Sequence, residues 1–213
     1  MIQKFAFAST ANGTDVGNIT VARDKLTGAS STTHGYAQGG DSGSASNVID
    51  RTSFSSDGDA TDVGDLTSAR KWLAGCSYTT HGYAMGGQTT VDIIDKFAFG
   101  ASANSTDVGN LSSGRGYASG QSSETHGYQS GGYNDSNVVD KWSFTTDGNA
   151  TDVGNLTSGR NRVSGCSSTT YGYCMAGNPT VNIIDKTSFA ADGNSTDVGD
   201  LITGRYGSVG QQV

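Results

Sequence analysis

Apolar residues along this chain are sparse, and they recur at a fixed spacing rather than in long runs. The stretch from 137 to 144 shows the local pattern. Val139, Lys141 and Ser143 share one face of an extended chain, and their neighbours in sequence occupy the other face. Such alternation is typical of a half-buried β-strand. No segment has the period of an amphipathic helix, so the pattern predicts an all-β protein.

The alternating segments belong to a repeat in which the phrase Thr-Asp-Val-Gly occurs five times, at steps of 47, 45, 45 and 45 residues. An aspartate followed closely by glycine is expected to accept hydrogen bonds from backbone N–H groups of the turn. We therefore interpret these aspartates as structural. They are Asp15, Asp62, Asp107, Asp152 and Asp197.

A second phrase, His-Gly-Tyr or Tyr-Gly-Tyr, occurs once in each of four repeats, and two residues later it is followed by Gly-Gly or, in the fourth copy, Ala-Gly. Its aromatic residues are His34 and Tyr36, His81 and Tyr83, His126 and Tyr128, and Tyr171 and Tyr173. An apolar-Asp-basic step, a phenylalanine three positions later and a closing arginine complete each unit. Four short strands with a period of 40–50 residues indicate a β-propeller.

The order of these features resembles the kelch repeat, in which a tyrosine strand ends in Gly-Gly and a third strand carries an aromatic residue. Here Tyr83 to Gly87, Phe99, Leu111 and Arg115 match that order. The family's usual tryptophan in the fourth strand is replaced by valine in every unit. The composition is also similar to Ser/Thr/Gly-rich kelch-like arrays of phage tail-fibre and virion proteins. This resemblance implies a five-bladed propeller in a structural protein.

The repeat divides residues 1–213 into one propeller domain with units at about 24–70, 71–115, 116–160 and 161–205. The fifth blade would combine 206–213 with 1–23, and no sequence supplies its tyrosine strand. Three alternatives are open: this blade has three strands, a partner chain supplies the fourth, since open strand edges recruit other strands, or the chain is a fragment of a longer protein. Small residues should line the axis, and the blade phenylalanines, Phe54 among them, should be buried.

The composition argues against several classes of protein. The net charge is −7, and no cluster of Lys or Arg marks a nucleic-acid groove. No apolar run is long enough to cross a bilayer, and the first residues are too polar for a signal peptide. Cys76, Cys166 and Cys174 form no disulfide framework. We interpret them as free thiols, with a Cys166–Cys174 pair as the alternative.

Residues that break the repeat are the best candidates for ligand binding: Trp72, Tyr78, Tyr133, Asn134 and Asp135. An exposed aromatic ring beside Asn and Asp can stack on a sugar, although ordinary loop variation explains the same pattern. The repeated histidines lie on different blades, too far apart to share a metal ion. We expect no metal and no cofactor.

The sequence predicts a non-catalytic module of an extracellular assembly, such as a virion or tail-fibre component. Catalytic groups need different environments, which an even repeat does not provide. The expected partners are other protein chains, including copies of this one, and surface glycans, with neither nucleic acid nor membrane insertion. A glycan-binding propeller and an intracellular kelch adaptor that binds proteins through its loops are the alternatives.

Overall fold

The computed structural model describes residues 1–6, 8, 10–88 and 90–210. Within these ranges the chain contains strands and no helix, so the all-β prediction is confirmed. The strands are β1 (Ile2–Lys4), β2 (Thr14–Gly17), β3 (Thr27–Ser30), β4 (His34–Gln38), β5 (Ser46–Ser53), β6 (Thr61–Arg70), β7 (Ala74–Ser77), β8 (His81–Met85), β9 (Ile93–Ala98), β10 (Thr106–Asn110), β11 (Ser119–Ser122), β12 (His126–Ser130), β13 (Val138–Ser143), β14 (Thr151–Asn155), β15 (Ser164–Ser167), β16 (Tyr171–Met175), β17 (Val181–Ser188) and β18 (Thr196–Arg205).

These strands form five antiparallel sheets. Sheet I (β3–β6), sheet II (β7–β10), sheet III (β11–β14) and sheet IV (β15–β18) each have four strands that pair in chain order. The fifth sheet pairs β1 with β2, and we call this pair, together with the residues that follow it up to Arg23, the N-terminal hairpin. Each predicted repeat unit from residue 24 to 205 therefore contains one complete sheet.

The Thr-Asp-Val-Gly phrase begins the fourth strand of each sheet and shapes it locally. In each copy the aspartate Oδ1 accepts a hydrogen bond from the glycine N–H two residues later, at 3.0–3.1 Å. The glycine has a positive φ, 151° at Gly154, which disfavours any side chain. A Cβ on Gly154 would overlap the carbonyl of Gly193 in the next sheet, so glycine permits close packing between sheets.

Neighbouring sheets pack face to face in chain order. Tyr36, Ile49 and Leu66 of sheet I share a buried cluster with Leu73 and Phe97 of sheet II. The first strands of the four sheets contact one another in sequence, β3 with β7, β7 with β11 and β11 with β15. Their glycines line one common cavity of about 410 Å³ together with Gly210; they are Gly28, Gly75, Gly120 and Gly165.

A buried ion pair connects each sheet to the next, which we call the inter-sheet latch. The arginine that closes one unit reaches the third-strand aspartate of the following sheet. The arginine of the N-terminal hairpin, Arg23, makes the same contact to sheet I at 2.7 Å. The other pairs are Arg70–Asp95, Arg115–Asp140 and Arg160–Asp185, and all eight side chains are at most 2% exposed.

The fifth unit differs from the expected blade. The N-terminal hairpin lies against sheet I, where Asn18 N–H donates to Asp59 at 2.8 Å. Residues 206–210 lie against sheet IV and are not a strand, whereas the sequence predicted one over Tyr206–Val213; residues 211–213 fall outside the described residues. A strand needs a hydrogen-bonded neighbouring strand, and no described strand pairs with residues 206–210.

The expected burial of the blade phenylalanines is wrong at one position. Phe144 is buried, and Phe99 and Phe189 pack against core clusters. Phe54 is 56% exposed. The buried rings are covered by a tyrosine from the second strand of the preceding sheet, and the unit that precedes sheet I has no described second strand.

Replacing Arg160 by Met leaves the Asp185 carboxylate buried without its counter-ion. We expect the free energy of unfolding to fall by about 3–5 kcal/mol, because an unpaired buried charge loses both hydration and partner. Arg205 is the matched control, since it is exposed and its guanidinium hydrogen-bonds only to Thr203 in its own strand among the described residues. Arg205→Met should change stability by about 0.5 kcal/mol or less. Urea unfolding of both variants measures the difference, and equal losses would contradict the latch.

Candidate functional site

One residue in each sheet, two positions after the closing arginine, has a positive φ. The values are 55° at Lys25, 60° at Trp72, 59° at Tyr117 and 53° at Arg162. A bulky side chain in this backbone region is uncommon and is held there by its surroundings. The holding contacts are backbone hydrogen bonds between sheets: Trp72 N–H donates to Lys25 O, Tyr117 N–H to Trp72 O, and Arg162 N–H to Tyr117 O, at 2.8–3.0 Å.

This chain of backbone bonds arranges the side chains in a row, which we call the aromatic–cation ladder (Lys25, Trp72, Tyr117, Arg162 and Tyr206). The Trp72 and Tyr117 rings stack with centroids 4.6 Å apart. Lys25 Nζ lies 5.4 Å from the Trp72 ring centroid, and the Arg162 guanidinium lies 5.4 Å and 5.5 Å from the rings of Tyr117 and Tyr206. The row therefore crosses from sheet I to the segment after sheet IV.

The neighbours of Trp72 in the ladder limit how much of its indole ring a ligand can contact. Tyr117 stacks on the indole, and the ammonium groups of Lys25 and Lys71 lie over the same ring. The indole is therefore already in contact with three side chains of the protein. Stacking on a sugar needs a free ring face. The geometry thus favours a structural contribution of Trp72 to the contact between sheets.

Asp41 fixes the lysine end of the ladder. Its carboxylate accepts hydrogen bonds from Lys25 Nζ at 2.8 Å and from Lys71 Nζ at 2.7 Å. These bonds hold the pKa of Asp41 well below its usual range. The carboxylate is thus charged at any physiological pH, and it fixes both lysines beside the indole, where Lys71 Nζ lies 5.1 Å from the ring centroid.

Three of the remaining candidates lie in the loop between β12 and β13, on the same end of the molecule as the ladder. Tyr133 N–H donates to the carbonyl of Gly116, the residue before Tyr117. Asp135 accepts a hydrogen bond from Asn161 Nδ2 at 2.7 Å, and Asn134 beside it has a φ of 61°. The Tyr133 ring is 38% exposed. The structure therefore brings Trp72, Tyr133, Asn134 and Asp135 to one surface, the ladder face.

Tyr78 does not join this surface. It lies in the turn between β7 and β8, at the other end of sheet II, where its N–H donates to His81 O at 2.8 Å. Its ring lies 4.9 Å from that of Phe144 and packs against the core cluster of sheets II and III. These contacts indicate that Tyr78 stabilises the packing between sheets II and III rather than binding a ligand.

The repeated histidines occupy equivalent turns of three different sheets. In each, the ring Nδ1 lies 2.8 Å from the hydroxyl of the preceding threonine. Burial lowers the pKa of His81 and of His126, which favours their neutral form at pH 7. Across residues 1–6, 8, 10–88 and 90–210, no group of three or more His, Cys, Asp or Glu is placed to hold a metal ion.

The cysteines are free thiols in the structure. In the sheet register Cys174 lies opposite Gly165, while Cys166 lies opposite Tyr173. Adjacent positions of a strand point to opposite faces, so Cys166 and Cys174 cannot form the alternative disulfide. Burial raises the pKa of the Cys174 thiol to about 11.

No protein-family model matches this sequence, and no curated protein matches it either. Among the described residues, no helix has the length and apolar character required to span a membrane. The site must therefore be interpreted from its own geometry.

Sequence reasoning singled out Trp72 and missed its ladder partners Lys25, Tyr117 and Arg162 as members of one site. A signal was present, because all four residues stand two positions after a closing arginine. All four are cations or aromatic rings, which are the side-chain types that make stacking and cation–π contacts with one another. Only the backbone hydrogen bonds between these residues, seen in the structure, reveal that the side chains lie side by side.

The strained backbone at Trp72 predicts which of two truncated variants, with alanine or with glycine at this position, is the more stable. Both Trp72→Ala and Trp72→Gly remove the stacked ring, but alanine keeps the cost of a positive φ and glycine does not. We expect the glycine variant to be more stable than the alanine variant by about 1 kcal/mol. Urea unfolding of the two variants measures this difference. If the alanine variant were more stable than the glycine variant, residue 72 would not have the positive φ described here.

Proposed function

We propose that the five sheets are the blades of a kelch-like β-propeller. Two observations support this arrangement. The first strands of sheets I to IV and residue Gly210 line one common cavity, and neighbouring sheets repeat the same latch and the same aromatic contacts. The N-terminal hairpin and residues 206–210 would be two parts of the fifth blade, and that blade would be incomplete.

The protein would be a non-catalytic structural and binding module of an extracellular assembly, such as a virion or tail-fibre component. The observation that carries this proposal is the exposed face of sheet IV, which we call the open face (Val198, Gly199, Ile202 and Arg205). Val198 is 46% exposed, whereas its equivalent Val63 in sheet I is 6% exposed. Ile202 is 100% exposed.

The open face has the shape of an inter-sheet contact without its partner. A Cβ on Gly199 would meet nothing within 4 Å, whereas one on Gly154 would overlap the next sheet. Val198 and Ile202 here expose apolar surface to water, and covering that surface is favourable. The open face is therefore suited to bind another protein surface.

The side chains of the open face define that partner further. Arg205 has no described carboxylate beside it, and the residue of this chain at the aspartate position of the fifth unit is Gln3. Ile202 replaces the threonine or serine that binds the latch aspartate in other sheets, as Thr157 binds Asp185 at 2.6 Å. A partner that presents a carboxylate within an apolar surface would complement both residues.

A non-catalytic role is supported by the uniformity of the charged groups. Each third-strand aspartate is held by an arginine, and each Thr-Asp-Val-Gly aspartate is bound to its own turn. General acid–base catalysis needs two groups in contrasting environments. Because the aspartates of each set have the same surroundings in every unit, we infer that they stabilise the fold rather than take part in catalysis.

Glycan binding is the second candidate, and the loop 133–135 favours it. The Tyr133 ring is partly exposed beside the amide of Asn134 and the carboxylate of Asp135 on the ladder face. An exposed ring with adjacent hydrogen-bonding groups matches the needs of a sugar. This candidate is compatible with a role in an assembly that contacts cell surfaces.

Assembly through the open face is tested by native mass measurement over a range of protein concentrations. We expect oligomers whose population rises with concentration, and at least about tenfold weaker association for Ile202→Asp, because a charge replaces buried apolar surface. Val21→Asp, which changes an exposed apolar residue on the N-terminal hairpin, is the control and should associate normally. A monomer at every concentration would contradict the proposal.

A further inference from the structure

A tyrosine–phenylalanine contact occurs at each of the three interfaces between complete sheets. The second-strand tyrosine of one sheet packs on the third-strand phenylalanine of the next sheet. The ring centroids are 4.9 Å apart for Tyr36 and Phe99, 4.9 Å for Tyr83 and Phe144, and 4.6 Å for Tyr128 and Phe189. Phe54 is the equivalent ring of sheet I, and it is 56% exposed. The tyrosine that should cover it is missing.

An open cavity of about 280 Å³ lies where this tyrosine strand would pack. It is lined by Ile2 and Ile19 of the N-terminal hairpin and by Ala37 and Thr52 of sheet I, with other residues. At the next interface the equivalents of Ile2, Ile19 and Thr52 form one buried cluster with Tyr36; they are Ile49, Leu66 and Phe97. The cavity therefore corresponds to the volume that a second-strand side chain fills elsewhere.

The backbone of β1 points to the same missing element. The third strands of the complete sheets pair on both edges; β13, for example, pairs with β12 and with β14. Among the described residues β1 pairs only with β2. Its other edge presents free N–H and C=O groups, which favour the addition of a strand.

We propose that an extended segment of another protein chain, with a tyrosine among small residues, binds along β1 and places its ring on Phe54. This inference rests on the proposed propeller, whose fifth blade the segment would complete. The partner is a strand because β1 offers backbone groups, and it carries a tyrosine because the three equivalent phenylalanines each contact one.

The described tyrosine strands, in this chain or in a copy of it, are not available to fill this position. The Tyr-bearing strands β4, β8, β12 and β16 are each held in the second position of their own sheet, with neighbours on both edges. Donating one of them would open a sheet and expose its core. A segment that has no other partner would bind without exposing a core, and it would lose only its own conformational entropy.

A synthetic peptide with the sequence of residues 124–132, Glu-Thr-His-Gly-Tyr-Gln-Ser-Gly-Gly, is the direct probe. With a fluorescein label, its binding to the intact protein is measured by fluorescence anisotropy. We expect saturable binding of one peptide per chain. Replacing its tyrosine by serine, or Phe54 by Ser in the protein, should each weaken binding about tenfold or more, because the aromatic contact is lost. Phe54 is exposed, so this variant should remain folded, which circular dichroism checks.

The variant Ile202→Asp separates this inference from assembly through the open face. It should bind the peptide with unchanged affinity, so either proposal can fail while the other survives. Absence of peptide binding to the wild-type protein would overturn the inference, and so would binding that Phe54→Ser leaves unchanged. Burial of Phe54 on self-association, detected as protection from hydroxyl-radical oxidation, would show that a second copy occupies the site.

Discussion

A buried ion pair between an arginine and an aspartate is the constraint on which the arrangement of sheets depends. Each closing arginine leaves its own sheet and reaches the third strand of the next, where both charges are almost completely shielded from water. Charges in that environment are tolerated only with a partner at hydrogen-bond distance. The pair therefore determines how far apart two sheets lie and in which register they pack, and the glycine, ladder and aromatic contacts follow from that spacing.

The same constraint explains why the two sides of the fifth unit differ from the rest. Toward sheet I, the N-terminal hairpin supplies Arg23 and completes a normal latch. Beyond sheet IV, Arg205 has an apolar neighbour in Ile202, and Gln3 replaces the aspartate in the repeat. Among the described residues, no buried ion pair therefore covers the open face of sheet IV.

The repeat predicted the all-β fold, the four-strand units and the structural Thr-Asp-Val-Gly aspartates, because each depends on local spacing. It did not predict the exposure of Phe54, since burial of that ring depends on a tyrosine from a neighbouring unit. The ladder was missed for a similar reason. Lys25 and Trp72 are 47 residues apart in sequence, and only a backbone hydrogen bond between sheets brings them together.

Hydroxyl-radical footprinting of the monomeric protein tests most directly whether the inter-sheet contact repeats between complete sheets and is open after sheet IV. The peptide that contains Val198, Ile202 and Tyr206 should be oxidised rapidly. The equivalent peptides of sheets I to III, which contain Leu66, Leu111 and Leu156, should be protected, because those leucines are buried. Equal protection of all four peptides in the monomer would contradict the open face and the account built on it.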